Sequence, residues 1–489
     1  MAVLFALAIF ALQAVAHRPP HVALSGTRRA SQRVSREPKA WLSMSSSSAP
    51  TSVQGGATPQ LVGFANFKRT NPKSDRFEVL GLDHLEMYCS DAQTASGRFM
   101  LGLDMDCVGK FESEAHACSV LVQSGGVRFL FTAPAGNAPD GETANAPAPI
   151  GFERSGAQKF IEDHGMAIRA IGLHVADCEA AYAACVANGG AGVLEPVQLA
   201  SEDGGTVLAS EVELYGDVVL RLISATTASG EAVPFSPTCP SLVPGYASTL
   251  ESPPPGEASV SPELAPLVRF DHIVGNVPVL TEAWGRISRM TGFHQFAEFT
   301  AEDVGTVDSG LNSIVLASNS EMVLLPMNEP TFGTRRKSQI QSYLEINRGA
   351  GVQHIALLTR DIFATVREMR RRSARGGFTF MPRPSEEYYR TLPERLALGD
   401  DDDAPKLNSA QLAEAEELGI LVDRDDQGML LQIFTAPVGD RKTLFLEFIQ
   451  RIGCDDDGTA EQRGGCGGFG KGNFAELFKT VEDFFGDED

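Results

Sequence analysis

Two histidines and one glutamate in the second half of the sequence are residue types that can bind a divalent metal. His272 lies in RFDHIVGNVP, His354 in GAGVQHIALL and Glu447 in TLFLEFIQ. Each run is apolar and predicts a β-strand. Two neutral imidazoles and one carboxylate can occupy one face of a metal ion and leave three positions for substrate and oxygen, as in non-haem Fe(II) oxygenases.

Each of these residues taken alone has a simpler interpretation. A single histidine in an apolar strand is more often a hydrogen-bonded core residue, and Glu447 could pair with Arg451. The two-residue period of a strand nevertheless places His272 and Val274 on one face, and Glu447 faces the same way as its apolar neighbours Phe445 and Ile449. A buried carboxylate without a partner is costly. A metal would supply that partner.

The strands that must hold these residues have near copies in the first half. LDHLEMYCS, GMAIRAIGLHVAD and DVVLRLIS repeat the order of the three metal-site runs. This repetition predicts a duplicated α/β unit. Alignment of the halves on Asp177 and Asp361 places Ala170 opposite His354, and alignment of the last strands places Arg221 opposite Glu447. A guanidinium is always charged and cannot bind a cation, so we expect a metal only in the second half.

Composition divides the chain into four parts. Residues 1–60 form an extension, 75–225 and 268–489 are the two repeated domains, and 226–267 are rich in Pro, Ser and Gly, as expected of a linker. Polar insertions at 135–149 and 396–411 predict surface loops, and the run Asp400 to Asp403 predicts a solvated turn rather than a calcium site. Glycines precede a helical pattern after Asn473, which predicts a hinged C-terminal lid helix, with a plain packing helix as the alternative.

The overall charge restricts the class of partner. The chain has 489 residues, 41 basic against 63 acidic, and a formal charge of -22. An acidic surface disfavours binding to a phosphate backbone, so no nucleic acid partner is expected. The eight cysteines include no CxxC pair, which predicts neither a zinc ribbon nor a dense disulfide framework, and we expect most of them to be reduced.

The extension has the composition of a targeting segment. MAVLFALAIFALQAVA has a short apolar core with a small-residue end, and residues 17–48 are rich in Arg and Ser with Glu37 as their one acid. A signal followed by a transit-like segment predicts delivery to a plastid, with a cytoplasmic location as the alternative. The apolar core is too short to span a bilayer comfortably, so no stable membrane span is expected in the mature protein. A buried helix is the other interpretation of this core.

Longer motifs in the second half closely resemble the 4-hydroxyphenylpyruvate dioxygenase family. They include SGLNSIVLASN, LLPMNEP, KSQIQSYLEINRGAGVQHIAL, GILVDRDDQGMLLQIFT, FLEFIQR and GCGGFGKGNFAELFK. The first half matches in VRFLFTAP and ELYGDVVLR. The resemblance implies an α+β fold of duplicated βαβββ modules, the vicinal-oxygen-chelate or glyoxalase-like fold, as two tandem barrel-like domains with a C-terminal lid helix.

The resemblance also implies an activity. Fe(II) held by His272, His354 and Glu447 would convert 4-hydroxyphenylpyruvate and O₂ to homogentisate and CO₂ by decarboxylation, ring hydroxylation and side-chain migration. This reaction serves tyrosine and phenylalanine catabolism and supplies the precursor of plastoquinone and tocopherol. We expect a homodimer. Two alternatives stay open: a hydroxymandelate synthase acting on the same substrate, and a metal-free aromatic-binding protein on the same fold.

Further site residues follow from the same motifs. As isolated residues they would be interpreted as surface amides or core phenylalanines, so their assignment depends on the resemblance alone. Amides suit such a site because they form hydrogen bonds without adding charge, and aromatic side chains favour contact with a phenyl ring. The expected catalytic residues are Gln339, Gln353 and Gln432, and the expected substrate-binding residues are Val274, Ser313, Asn328, Phe434, Phe469 and Phe474.

Overall fold

A computed structural model of the chain describes residues 60–113, 117–135, 149–200, 205–235, 265–304, 310–333, 335–396, 406–456, 459–462, 464–474, 476–477 and 480. The chain divides into the units Met1–Ala57 and Thr58–Asp489, and the first unit lies outside the described residues. The same holds for most of the linker and of both insertions, including Asp400 to Asp403, and for most of the C-terminal helix. The lid helix therefore stays a prediction.

The repeated sequence runs form two eight-stranded sheets. The first sheet contains β1 Val79–Tyr88, β2 Asp106–Glu112, β3 Ala117–Ser124, β4 Val127–Pro134, β5 Ala167–Val175, β6 Gly192–Ala200, β7 Thr206–Tyr215 and β8 Val218–Thr226. The second contains β9 Arg269–Asn276, β10 His294–Phe299, β11 Leu311–Ala317, β12 Leu324–Pro330, β13 Gly351–Leu358, β14 Leu421–Arg424, β15 Met429–Phe434 and β16 Phe445–Ile452. A two-stranded pair, β17 Asp455–Asp456 and β18 Thr459–Gln462, follows.

The two sheets have the same strand order. It is β2-β3-β4-β1-β5-β8-β7-β6 in the first sheet and β10-β11-β12-β9-β13-β16-β15-β14 in the second. In each sheet the first and fourth strands of a module pair in parallel, as in β12 with β9 and β13 with β16. The central strands of the two modules pair antiparallel, as in β13 with β9. The predicted α+β fold of duplicated βαβββ modules is confirmed.

Helices lie between many of the strands along the chain. They are α1 Ala92–Leu103, α2 Arg154–His164, α3 Cys178–Ala187, α4 Leu280–Thr291, α5 Ala301–Val304, α6 Gln339–Ile346, α7 Ile362–Ser373, α8 Glu386–Leu396 and α9 Ser409–Leu418. No helix among the described residues combines the length and apolar character needed to cross a bilayer.

The aspartates that anchor the alignment of the halves have the same structural role. Asp177 caps α3 by accepting a hydrogen bond from Ala180 N at 3.0 Å, and Asp361 caps α7 by accepting one from Ala364 N at 3.0 Å. Each cap satisfies an N–H group that the first turn of the helix leaves without a partner. The strand-to-helix junction is thereby fixed at the same place in both halves.

One apolar core extends through both halves. Phe129 of β4 packs edge-on against Phe270 of β9 with ring centroids 5.4 Å apart, and Phe99 of α1 contacts Phe378 at 5.0 Å. These four rings are almost fully buried. Burial of such large apolar side chains is the dominant stabilising contribution to a fold, so the first half supports the sheet that carries the predicted metal site.

Candidate metal centre and substrate cavity

The three predicted metal ligands lie on three adjacent strands. His272 is on β9, His354 on β13 and Glu447 on β16. In the strand register His272 is opposite Ala356, and Ala356 is also opposite Glu447. Side chains on one face of neighbouring strands converge, so residues far apart in sequence meet above the centre of the second sheet.

The geometry of these side chains suits a metal ion. Glu447 Oε2 lies 3.1 Å from His272 Nε2 and 3.4 Å from His354 Nε2. One ligand atom from each of the three residues lies within 4.8 Å of the others. All three side chains are mostly shielded from solvent. Two nitrogens and one carboxylate oxygen that converge from one side form the donor set of a facial triad.

Hydrogen bonds behind the ligands fix the orientation of both imidazoles. His272 Nδ1 donates to Asp271 Oδ2 at 2.9 Å, and His354 Nδ1 donates to Gln353 Oε1 at 3.0 Å. Each bond keeps the proton on Nδ1 and leaves the Nε2 lone pair for a metal. Arg451 in turn holds Asp271 through two hydrogen bonds of 2.9 and 2.7 Å. Gln353 therefore orients the imidazole of the predicted metal ligand His354.

Burial and neighbouring charges shift the pKa values of all three predicted ligands. Burial alone would lower the pKa of His272, but the carboxylates of Glu447 and Asp271 outweigh it and raise the pKa to about 9. Burial likewise opposes charge on Glu447, but the two imidazoles lower its pKa to about 2. Burial lowers the pKa of His354. A cation among these groups would stabilise the neutral imidazoles and the carboxylate together.

A β-bulge gives Asp271 its position. Phe270 pairs with Leu357 and His272 with the next residue back, Ala356, so Asp271 is an extra residue in β9. A bulge redirects the side chains around it. It allows Asp271, which is completely buried, to accept hydrogen bonds from both His272 and Arg451. Simple alternation along the strand does not predict this arrangement.

All twelve predicted site residues line one cavity. These residues are His272, Val274, Ser313, Asn328, Gln339, Gln353, His354, Gln432, Phe434, Glu447, Phe469 and Phe474. They come from β9, β11, β12, α6, β13, β15, β16 and the C-terminal segment. The metal ligands therefore face the same space as the amides and aromatic rings.

Six further residues line this cavity and were absent from the sequence prediction. Alternation predicts that Phe445 faces the same way as Glu447, and it could also have identified Leu311 and Val315, which flank Ser313 on the same face of β11. No pattern pointed to the end of β10, where Phe299 lies. The six residues are Phe299, Leu311, Val315, Pro326, Phe445 and Leu477.

Polar atoms in the cavity are available to a ligand. Gln432 is 2% exposed, and its Oε1 has no hydrogen-bond partner among the described residues. A buried polar atom without a partner is costly, so a bound ligand or water that donates to it would be favoured. Ser313 and Asn328 are directly opposite each other on β11 and β12. Asn328 Nδ2 also donates to Asn276 Oδ1 at 3.2 Å.

Aromatic rings surround the triad. Phe445 stacks on His354 with centroids 5.0 Å apart, and Phe434 meets the same imidazole edge-on at 6.0 Å. Phe469 contacts His272 at 5.3 Å. These rings present apolar surface suited to an aromatic ligand.

The C-terminal segment is attached to the sheet at two points. Arg451 Nη1 donates to the carbonyl oxygens of Cys466 and Gly468. A disulfide joins Cys454 to Cys466, a pairing that the cysteine spacing did not predict. These attachments place Phe469 over the cavity.

Gly470 makes the close approach of this segment possible. Its φ of +73° is in the left-handed region, and a Cβ there would lie 2.6 Å from the Gln432 amide nitrogen. Glycine avoids both the strain and the clash. The backbone of the segment can therefore pack directly on Gln432.

The corresponding place in the first sheet contains a guanidinium instead of a ligand set. Arg221 donates to His84 Nε2 at 3.1 Å, to Glu211 Oε1 at 2.9 Å and to Glu86 Oε2 at 2.5 Å. His84 Nδ1 is hydrogen-bonded to Asp83 at 2.8 Å, as His272 is to Asp271. Arg221 supplies a fixed positive charge where the second sheet has its triad. Among the described residues, the one group of side chains suited to a metal ion is His272, His354 and Glu447 of the second half.

Comparison with known proteins identifies several relatives that have the same enzyme name. No family model matches the chain. The 4-hydroxyphenylpyruvate dioxygenase of Daucus carota is 52% identical over 449 residues, which cover 90% of this chain and 94% of that protein. The enzyme of the same name from Arabidopsis thaliana is 50% identical, covering 87% and 92%, and that from Hordeum vulgare is 49% identical, covering 89% and 95%.

Solved structures agree on the fold. A triple mutant of 4-hydroxymandelate synthase from Streptomyces coelicolor superposes with a TM-score of 0.63 at 21% identity and covers 83% of this chain and 99% of its own. At this identity the likeness concerns the fold alone. The extent and level of the sequence identity to the three plant enzymes show that the chain belongs to the 4-hydroxyphenylpyruvate dioxygenase family.

Proposed function

We propose that this protein is an Fe(II)-dependent 4-hydroxyphenylpyruvate dioxygenase that forms homogentisate and CO₂ from its substrate and O₂. One observation carries the proposal: His272, His354 and Glu447 converge at the base of a cavity lined by amides and aromatic rings. The cavity combines polar side chains with aromatic rings, which suits the α-keto acid and the phenol ring of such a substrate. Family membership supports the same activity.

The donor set supports a metal-dependent enzyme, and Fe(II) is our proposal for the metal. Two imidazole nitrogens and one carboxylate leave open positions, which is the arrangement of non-haem Fe(II) oxygenases. When bound, Fe(II) supplies the site that orients the α-keto acid and activates O₂. His272, His354 and Glu447 would hold it, and Asp271 and Gln353 would keep both imidazoles in the tautomer that binds a metal.

The remaining side chains orient the substrate and protect the reacting centre. Gln432, whose Oε1 has no partner in the described part of the chain, and Gln339 offer hydrogen bonds without charge. Ser313 and Asn328 lie at the place proposed for the phenol hydroxyl. Phe434, Phe469 and Phe474 hold the ring and exclude water, which limits side reactions of a strong oxidant.

Product analysis tests this proposal directly. Metal-free protein is loaded with Fe(II) and ascorbate without oxygen, 4-hydroxyphenylpyruvate is added, O₂ is admitted, and the products are separated by chromatography and identified by mass spectrometry. We expect homogentisate. Hydroxymandelate as the main product would favour the synthase alternative, and binding of the substrate without any turnover would favour the metal-free binding protein.

The identity of the metal needs its own measurement. Parallel samples loaded with Fe(II), Mn(II), Co(II) or Zn(II) are compared for homogentisate formed per bound metal. We expect substantial activity only in the Fe(II) sample. The protein ligands have no redox chemistry of their own, so activation of O₂ depends on the metal. Equal activity with Zn(II), which has no redox chemistry, would exclude the proposed role of iron.

We also propose that the protein is a homodimer and acts in a plastid. The family resemblance supports the first proposal, and light scattering after gel filtration tests it. The apolar and then Arg- and Ser-rich composition of residues 1–60 supports the second. A fluorescent fusion of these residues should reach the plastid of a host with secretory plastid import, and retention in the cytosol would favour the cytoplasmic alternative.

A further inference from the structure

The segment immediately before the first sheet packs on the second sheet. We define this segment, residues 60–77, as the amino-terminal strap. Asp75 and Asn319 exchange hydrogen bonds, with Asn319 N donating to Asp75 Oδ2 at 2.7 Å and Asp75 N donating to Asn319 Oδ1 at 3.1 Å. Ser74 Oγ donates to the Gly292 carbonyl at 2.7 Å. The strap therefore belongs spatially to the half that contains the metal centre.

The other end of the strap is fixed beside the cavity. Val62 N donates to Glu298 Oε1 at 2.6 Å, and Phe64 N donates to Asp303 Oδ2 at 2.9 Å. Glu298 is on β10 next to Phe299, which lines the cavity. Backbone hydrogen bonds to two side chains on adjacent elements hold this end of the strap in one position.

We call the cavity-lining rings of Phe299, Phe469 and Phe474 the aromatic wall. Phe64 lies directly behind this wall. Its ring stacks on Phe299 with centroids 5.4 Å apart and planes 11° from parallel. Phe299 meets Phe474 at 5.3 Å and 62°, and both of these rings line the cavity. Phe64 itself is 42% exposed, so its contribution to the core is small compared with that of a buried ring.

A second strap residue reaches the triad through two rings. The Arg69 guanidinium lies 3.6 Å from the centre of the Phe296 ring. Phe296 packs edge-on against Phe469 at 5.8 Å, and Phe469 contacts His272 at 5.3 Å. Arg69 is itself held by an ion pair with Glu321. This row of contacts runs from the protein surface to a metal ligand.

The strap also contacts the C-terminal segment. Lys471 Nζ lies 3.7 Å from the centre of the Phe64 ring. Lys471 follows Gly470, whose backbone packs on Gln432, and precedes Phe474 by three residues. The strap and the C-terminal segment thus meet over the same side of the cavity, where a cation over an aromatic ring adds a modest attraction.

We propose that Phe64 and Arg69 are positioning residues that fix the aromatic wall against the substrate ring. Phe64 acts through Phe299 and Phe474, and Arg69 acts through Phe296 and Phe469. A substrate ring must be held close to its reacting orientation for a productive reaction, and the residues that hold it need support from behind. The proposal deepens the proposed function and rests on it.

The test uses the full chain loaded with Fe(II) and carrying Phe64→Ala. We expect the KM for 4-hydroxyphenylpyruvate, and its Kd in an anaerobic titration, to rise about three- to tenfold, the scale of one aromatic pair. The ratio of homogentisate formed to O₂ consumed should fall, because a loosened wall admits water and misplaces the ring. Phe64→Tyr keeps the stacked ring and should restore all three values.

Phe332→Ala is the matched control, because it removes the same atoms from a ring of the second half that is 76% exposed. It should leave KM, Kd and the product ratio unchanged. For the second strap residue, Arg69→Gln should lower the product ratio, and Arg69→Lys, which keeps the cation, should restore most of it.

A double-mutant cycle separates positioning from a general effect on folding. In a Phe299→Ala background, Phe64→Ala should change KM by less than about twofold, because the ring through which it acts is gone. Equal KM, Kd and product ratio in Phe64→Ala and the unaltered enzyme would overturn the strap proposal. So would an unchanged effect of Phe64→Ala in the Phe299→Ala background. Absence of homogentisate from the unaltered enzyme would instead overturn the proposed function.

Discussion

Glu447 lies between two imidazoles, with Oε2 at 3.1 Å from His272 Nε2 and 3.4 Å from His354 Nε2. Glu447→Ala removes both a ligand and the negative charge that offsets the metal. We expect metal content and homogentisate formation to fall together to background. Metal is measured by mass spectrometry after gel filtration. Glu329→Gln, which changes a carboxylate outside the cavity, should keep both, and a variant at Glu447 that retained metal and turnover would exclude the triad.

Metal affinity should depend on pH through His272. Burial would lower its pKa, but Glu447 and Asp271 raise it to about 9 in the metal-free protein, whereas burial lowers the pKa of His354. A metal that binds below pH 9 must therefore displace one proton, so its affinity should rise about tenfold per pH unit as the pH increases from about 6 to 8.

Anaerobic Fe(II) titrations across that range measure this slope. Asp271→Asn removes one of the charges that raise the pKa of His272, so the affinity of this variant should depend less on pH near the upper end. An affinity that did not change with pH would show that His272 is already neutral in the metal-free protein.

At the scale of the element, the C-terminal segment supplies Phe469 and Phe474 to the cavity. Phe474→Ala should weaken binding of 4-hydroxyphenylpyruvate by about 1–3 kcal/mol, the scale of losing a buried aromatic contact. It should also lower the yield of homogentisate per O₂, because the cavity then admits more water. Anaerobic titration gives the affinity, and an oxygen electrode with product analysis gives the yield. Normal binding and coupling would leave this segment without a role at the substrate ring.

Strand and helix patterns predicted much of the second sheet. The apolar runs that contain His272, His354 and Glu447 were predicted to be strands, and they form β9, β13 and β16. The two-residue period of a strand also predicted that Phe445 and Glu447 face the same way. These predictions succeed because a half-buried element shows its buried face in its own sequence.

Contacts between distant segments were not predictable in this way. The bulge at Asp271 depends on how β9 pairs with β13, and the Cys454–Cys466 disulfide depends on where the C-terminal segment packs. The stacking of Phe64 on Phe299 joins residues 235 positions apart only after the sheet has formed. No local period encodes such contacts.

At the scale of the whole molecule, the buried carboxylates of the two halves have different partners. Arg221 neutralises Glu86 and Glu211 in the first sheet, and all three are almost fully buried. Arg221→Leu leaves two buried carboxylates without their cation and should lower the free energy of unfolding by about 3–5 kcal/mol. Urea denaturation measures this loss. Arg286→Leu, which breaks a partly exposed pair with Glu213, should cost less than about 1 kcal/mol.

Metal content per folded Arg221→Leu protein should stay unchanged, because the three metal ligands lie on the second sheet. Loss of metal from a variant that remained folded would mean that the first sheet participates in metal binding. That result would contradict the division of roles between the halves.

The last prediction concerns the amino terminus. The first described hydrogen bond from the strap to the second sheet is donated by Val62 N, and Met1–Ala57 form a separate unit. A chain that starts at residue 60 should therefore keep the homogentisate turnover per bound iron of the full chain. A chain that starts at residue 78 loses Phe64, Arg69 and the hydrogen bonds of Asp75, so it should show a higher KM and a lower product yield per O₂ even where it remains folded. Both chains are compared with the full-length protein at equal iron content, with thermal unfolding as the measure of folding. Equal kinetics of the shorter chain and the full chain would show that the second sheet holds its aromatic wall without the strap, and a loss of activity already at residue 60 would show that the extension itself is structural.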